Sequence, residues 1–160
     1  MKKVFAMFAA ILFCGSMMVS CNKETDTIEN HQSSTADVNP ADLIGTWEGT
    51  YNGSTNYQSQ QLTYTIKWNV DISTVSAGTM TALVTSNLTD ENYTVRYIIS
   101  GVSSRQNTDY VELDVRRDGA LFDDRFEMLY NKSANTLTGS MILQYQGDLN
   151  IGGETTLKKK

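Results

Sequence analysis

The chain has 160 residues, of which 40% are hydrophobic and 19% charged, with a formal net charge of −5. This length suits one domain with a single core, and the composition excludes global disorder. An acidic balance repels phosphate backbones, which argues against a nucleic-acid binder.

In chain order the first element is an address. Met1-Lys2-Lys3 is a short positive segment, Val4 to Phe13 is an apolar run, and Gly15 and Ser16 break it. The apolar stretch of about 16 residues is shorter than the roughly 20 needed to span a bilayer, so a secretory signal is expected over residues 1–20. Met18-Val19-Ser20-Cys21 resembles a lipobox, with Met18 where leucine is usual. That resemblance implies cleavage before Cys21 and lipidation of its thiol. Cys14 does not fit, because bulky Phe13 precedes it. Two or three acyl chains on Cys21 would anchor the protein stably, which one chain does not. Asn22 is not the aspartate associated with inner-membrane retention, so an outer-membrane protein is implied. Lys23-Glu24-Thr25-Asp26 resembles the charged tag of surface-exposed Bacteroidota-type lipoproteins, and both the periplasmic and the cell-surface face stay open. Removing Lys2 and Lys3 takes the formal charge from −5 to about −7.

Residues 21–41 are rich in Asn, Glu, Thr, Asp, Gln and Ser and read as a tether that cannot bury enough surface to fold. A flexible chain of about 20 residues spans roughly 25 Å. Both cysteines precede residue 22, and the one histidine, His31, falls in the tether. Residues 42–160, the expected domain, therefore carry no disulfide and no Cys- or His-based metal or catalytic centre.

From Leu43 onward the dominant period is two, the mark of half-buried strands. Leu43, Gly45, Trp47, Gly49 and Tyr51 form the first row, and Leu62, Tyr64, Ile66, Trp68, Val70 and Ile72 the second, which is the cleanest. A weak run from Thr79 to Ser86 carries Met80, Ala82 and Val84. Tyr93, Val95, Tyr97 and Ile99 follow, then Val111, Leu113 and Val115. Phe122, Asp124, Phe126, Met128 and Tyr130 make the sixth row, and Leu137, Gly139, Met141, Leu143 and Tyr145 the seventh. A glycine-broken run from Leu149 to Leu157 is last, and Lys158-Lys159-Lys160 reads as a solubilising end. Turn signals separate the rows at Asn52-Gly53-Ser54, Ala77-Gly78, Asp90-Glu91-Asn92, Asp118-Gly119, Asn131 to Asn135 and Gln146-Gly147-Asp148. Short connections favour hairpins, and closing the first strand on the eighth hides both edges. The expected fold is all-β, an eight-stranded antiparallel up-and-down barrel, with an open sandwich as its rival.

Leu43-Ile44-Gly45-Thr46-Trp47-Glu48-Gly49 resembles the Gly-x-Trp signature of lipocalins and related calycins, in particular short bacterial lipocalin-like lipoproteins. The resemblance carries over Gly45 and Trp47. It implies a lipocalin-like barrel in which the indole packs at the closed end. Lipocalins commonly stack an arginine from near the last strand on that tryptophan, and no arginine follows Arg125 here.

Catalysis needs an activated group, and the pattern offers none. Asp123 and Asp124 are neighbours on a strand and point to opposite faces, so they cannot share a proton. Glu112 and Asp114 lie on an outer face. No phosphate loop or clustered oxygen-ligand motif appears, so neither enzyme activity, cofactor nor metal is expected. The unusual feature is tyrosine. Tyr51, Tyr64, Tyr93, Tyr97, Tyr130 and Tyr145 fall on inward rows with Trp68, Phe122 and Phe126, and each buried hydroxyl needs a partner. Parity also turns Asp124 inward, where it needs a partner unless it lies at a mouth and meets water. These ten residues are the candidate lining of a partly polar cavity. The expectation is a monomeric, lipid-anchored outer-membrane protein holding a small lipophilic or amphipathic ligand. The alternative is a filled barrel acting as an accessory or inhibitory subunit through protein or glycan contacts. The polar segment Asn52 to Ser59 with Tyr57, and the Ser103 to Asn107 connection, would then be its contact surface.

Overall fold

A computed structural model describes residues 37–121, 123–147 and 149–160. Residues 1–36, which hold the expected signal peptide, Cys21 and most of the expected tether, lie outside the described residues, as do Phe122 and Asp148. Eight antiparallel strands follow a single 3₁₀ turn, Pro40–Leu43: β1 Gly45–Tyr57, β2 Gln60–Thr74, β3 Ala77–Ser86, β4 Tyr93–Ser104, β5 Tyr110–Arg117, β6 Asp123–Asn131, β7 Thr136–Tyr145 and β8 Leu149–Lys159. They pair in chain order and close into an up-and-down barrel, not a sandwich. Among the described residues no helix is long and apolar enough to cross a membrane.

The alternation read from the sequence is the alternation of the wall. Leu62, Tyr64, Ile66, Trp68, Val70 and Ile72 are all buried, with Thr63, Lys67, Asn69 and Asp71 exposed between them. Two register shifts modify the pattern, between Ile72 and Thr74 and between Ile99 and Gly101. Each inserts an extra residue and bends the strand. The second turns Val102 inward only three residues after Ile99. Val102 N–H donates to Val75 O at 2.8 Å, tying the two bent segments together.

One end of the barrel is a closed floor built around Trp47. The indole is fully buried, donates its Nε1–H to Leu43 O at 2.8 Å, and meets Tyr130 edge-on at 6.1 Å. Gly45 has φ +132, and a β-carbon there would lie 2.9 Å from Lys159 Cε. A glycine two residues before the tryptophan therefore satisfies both the backbone and the crossing lysine. Lys159 Nζ sits 5.3 Å from the centre of the Trp47 ring and donates to Asp42 O at 2.8 Å. The terminal lysines are thus part of the seam. β8 pairs with β1 at Trp47–Lys159 and Glu48–Lys158, Lys160 N–H donates to Thr46 O at 2.9 Å, and Lys160 Nζ pairs with Glu48.

Folded structure begins before residue 42. Val38 is buried, Asn39 caps the 3₁₀ turn through Ala41 N–H, and Asp37 Oδ1 accepts Asn107 N–H at 2.7 Å. The chain so enters the barrel at its floor. At the other end the first turn also lies later than its sequence signal. Asn52–Tyr57 continues β1, paired with Gln60–Thr65, and the reversal falls on Gln58 and Ser59 with φ of 48 and 67. Gly53 is there for space, because a β-carbon would lie 2.6 Å from the Tyr64 ring.

An opening in the wall between β6 and β7

The ring-lined interior expected from parity is mostly filled by the rings themselves. Tyr51 and Tyr64 lie 6.2 Å apart, and their rings occupy space left by Gly153 and Gly53. The Tyr64 hydroxyl accepts Gly152 N–H at 3.3 Å, and burial raises its pKa against that hydrogen bond. Tyr93 and Tyr145 meet edge-on at 5.4 Å near the open end. Tyr130 belongs to the floor with Trp47. Trp68, Tyr97 and Phe126 form a three-ring cluster with centroid separations of 6.0–6.5 Å.

That cluster lies beside a break in the wall. β6 and β7 pair only at Leu129–Thr138, Tyr130–Leu137 and Asn131–Thr136, near the floor. The other edge of each strand is fully paired, Asp123–Leu129 with β5 and Thr136–Tyr145 with β8. Beyond Gly139 the two strands diverge toward the open end. Gly139 sets the branch point, since a β-carbon there would lie 2.3 Å from Glu127 O and 2.8 Å from Met128 Sδ.

The gap holds an open cavity of about 620 Å³. Its back is apolar, made by Tyr97, Phe126 and Leu143, and its sides carry Asp123, Asp124, Arg117, Ser140, Gln144 and Asn150. Apolar groups stand on its rim as well: Ile142 is half exposed, and Leu121, at the tip of the β5–β6 hairpin beside the lining residue Ala120, is 92% exposed.

Of the ten candidate cavity residues, the structure brings Tyr97, Asp124 and Phe126 together at this opening, with Trp68 packed against Tyr97 and Phe126. Tyr51, Tyr64, Tyr93, Tyr130 and Tyr145 do not line it, and Phe122 lies outside the described residues. Asp124 is exposed at the mouth, where its Oδ1 accepts Arg125 N–H at 2.8 Å. Burial pushes the Tyr97 phenol up to about 12; the Arg117 guanidinium pulls against this, while Asp124 and Tyr93 add to it. Trp68 is 1% exposed, yet its indole N–H reaches no protein acceptor among the described residues. Such a buried donor costs about 1–3 kcal/mol unless something else accepts its proton.

Most of the lining was not assigned to a site by the sequence reading, and two of those residues matter most. Arg117 continues the inward row Val111, Leu113, Val115 by one more alternation and donates to the Tyr93 hydroxyl at 2.5 Å. Leu143 stood in the seventh row as wall, with no signal that its neighbour strand would lean away. On the outer face, Glu112 and Asp114 are engaged by arginines. Arg105 reaches Glu112 at 3.0 Å and Glu127 at 3.1 Å, and Arg125 reaches Asp114 at 2.8 Å and Glu112 at 3.3 Å. This ladder joins β5, β6 and the β4–β5 connection. Among the described residues no group of three or more His, Cys, Asp or Glu is placed to hold a metal ion. No family model, curated protein or solved structure matches this chain.

Proposed function

We propose that the chain is a non-enzymatic binding protein, lipid-anchored through Cys21 at the outer membrane, which takes a small amphipathic ligand at the opening between β6 and β7. The observation that carries this reading is the break in backbone pairing. A closed barrel gains from completing its ladder, and here two strands diverge to leave a 620 Å³ space backed by Tyr97, Phe126 and Leu143. Ligand sites are concave, mainly apolar and marked by a few convergent polar groups, and this one has both parts.

A lipocalin-like identity is supported by the floor. Gly45 and Trp47 sit at the closed end, and Lys159 on the last strand lies over the indole where lipocalins commonly carry an arginine. The opening lies at the end of the barrel away from Asp37, where the chain enters. The filled remainder of the interior favours the second reading, an accessory subunit with no internal ligand.

Native mass spectrometry of the chain purified without detergent, challenged with lipid and bile-acid libraries, separates the two. Reproducible adducts lost on Phe126→Asp are expected; a clean apo mass throughout would leave the accessory reading. Anchoring is tested by Cys21→Ser, which should move the protein from the membrane to the soluble fraction.

A further inference from the structure

Arg117 is an inward-facing arginine held at the edge of an apolar space, and its electrostatics are unlike those of its neighbours. Arg105 and Arg125 each pair with two carboxylates on the outer face. Arg117 is half-buried, and among the described residues it forms no ion pair within 4.0 Å. A guanidinium has five N–H donors in a fixed fork, and the protein partner in view is a neutral one, the Tyr93 hydroxyl at 2.5 Å. Because that hydroxyl accepts from Arg117, its own proton is directed elsewhere. Tyr97 lies directly across the ladder from Arg117 and is the ring at the back of the opening. Asp124, one strand away, faces the same ring, but it is solvated and bonded to Arg125 N–H.

We infer that Arg117, held in place by the Tyr93 hydroxyl outside the lining, is the head-group site of the opening, and that its ligand is a single-chain carboxylate whose apolar tail lies against Tyr97, Phe126 and Leu143. This rests on the opening being a ligand site, as proposed above. One half-buried guanidinium with donors to spare beyond the one given to Tyr93 matches a planar monoanion, which it can hold bidentately. A dianionic phosphate would call for a second free cation, and Arg125, the other arginine in the lining, is engaged by Glu112 and Asp114. Asp124 opposes the anion from solvent and limits its affinity.

The test is calorimetric titration of the full chain with laurate and with dodecanol at pH 7. Laurate should bind about tenfold or more tightly than dodecanol, the difference expected of a charge-assisted hydrogen-bonded pair. Arg117→Gln should reduce laurate affinity to that of dodecanol and leave dodecanol unchanged, while Arg117→Lys restores part of the preference. Asp124→Asn should tighten laurate alone by a few-fold. Equal affinities for the two probes, with Arg117→Gln without effect, would overturn the head-group assignment and leave the ligand site standing. Binding of neither probe would overturn both. Unchanged Trp47 emission in each variant shows that the floor is folded.

Discussion

The two tryptophans offer a matched experiment on what a buried indole N–H is worth in this barrel. Both rings are fully or almost fully buried, so Trp→Phe shrinks each by a similar volume and removes a similar apolar area. Their N–H groups differ. Trp47 Nε1–H donates to Leu43 O at 2.8 Å, and Trp68 Nε1–H reaches no acceptor among the described residues. Trp47→Phe therefore strips the buried Leu43 carbonyl of its donor, at a cost of about 1–3 kcal/mol. Trp68→Phe instead removes an unpaired donor and recovers about 1–3 kcal/mol of that donor's desolvation cost. Trp47→Phe should be the more destabilising by on the order of 3 kcal/mol, a separation of about 1 M or more between urea midpoints. Urea unfolding followed by far-ultraviolet circular dichroism measures both variants without relying on either fluorophore. Equal losses of stability, or a greater loss at Trp68, would refute the assignment of paired and unpaired indoles.

Further outcomes follow from named contacts. Gly139→Ala would place a methyl group 2.3 Å from Glu127 O, so β7 must shift off β6 at a cost of about 2 kcal/mol, readable in the same urea assay. Lys159→Met removes a cation from the Trp47 ring and a donor from Asp42 O and should cost about 1–2 kcal/mol, with altered Trp47 emission. For Tyr97, folded and unfolded chains carry the same neutral phenol below its ordinary value of 10.0, and in the folded state that value rises to about 12. Between these values the unfolded chain loses its proton first, so stability should fall as pH rises through that window. The loss is on the order of 2–3 kcal/mol at about 1.4 per pH unit, and denaturation at a series of alkaline pH values should show it flattened in Tyr97→Phe.

Much of the wall was legible in the sequence because a strand exposes its period directly. The rows through Trp68 and through Met128 needed no tertiary information to assign their faces. The floor was legible through the resemblance of Gly45-Thr46-Trp47 to the Gly-x-Trp signature, which implies an indole packed at a closed end, and not through any local period. What was hidden depends on contacts between distant segments. Gly53 reads as a turn residue in isolation, yet its lack of a side chain makes room for the Tyr64 ring across the hairpin. The terminal lysines read as a charged tail, although Lys159 is placed over Trp47 by pairing between the first and last strands. The opening was least legible of all. Rows six and seven alternate as cleanly as their neighbours, and nothing in either predicts that pairing stops after Leu129–Thr138. Parity therefore gathered ten residues into one cavity, whereas the rings of most of them fill the barrel for each other.

Amide hydrogen exchange across β6 and β7, with and without laurate, probes the ligand site most directly. In the free protein the amides of Asp123–Met128 and Ser140–Tyr145 that point into the gap should exchange rapidly, while those bonded to β5 and β8 are protected. Laurate should slow exchange around Phe126 and Leu143 and leave the Trp47 floor unchanged. Uniform protection of both strands in the free protein, or slowing confined to the β1–β2 hairpin, would contradict a ligand site between β6 and β7.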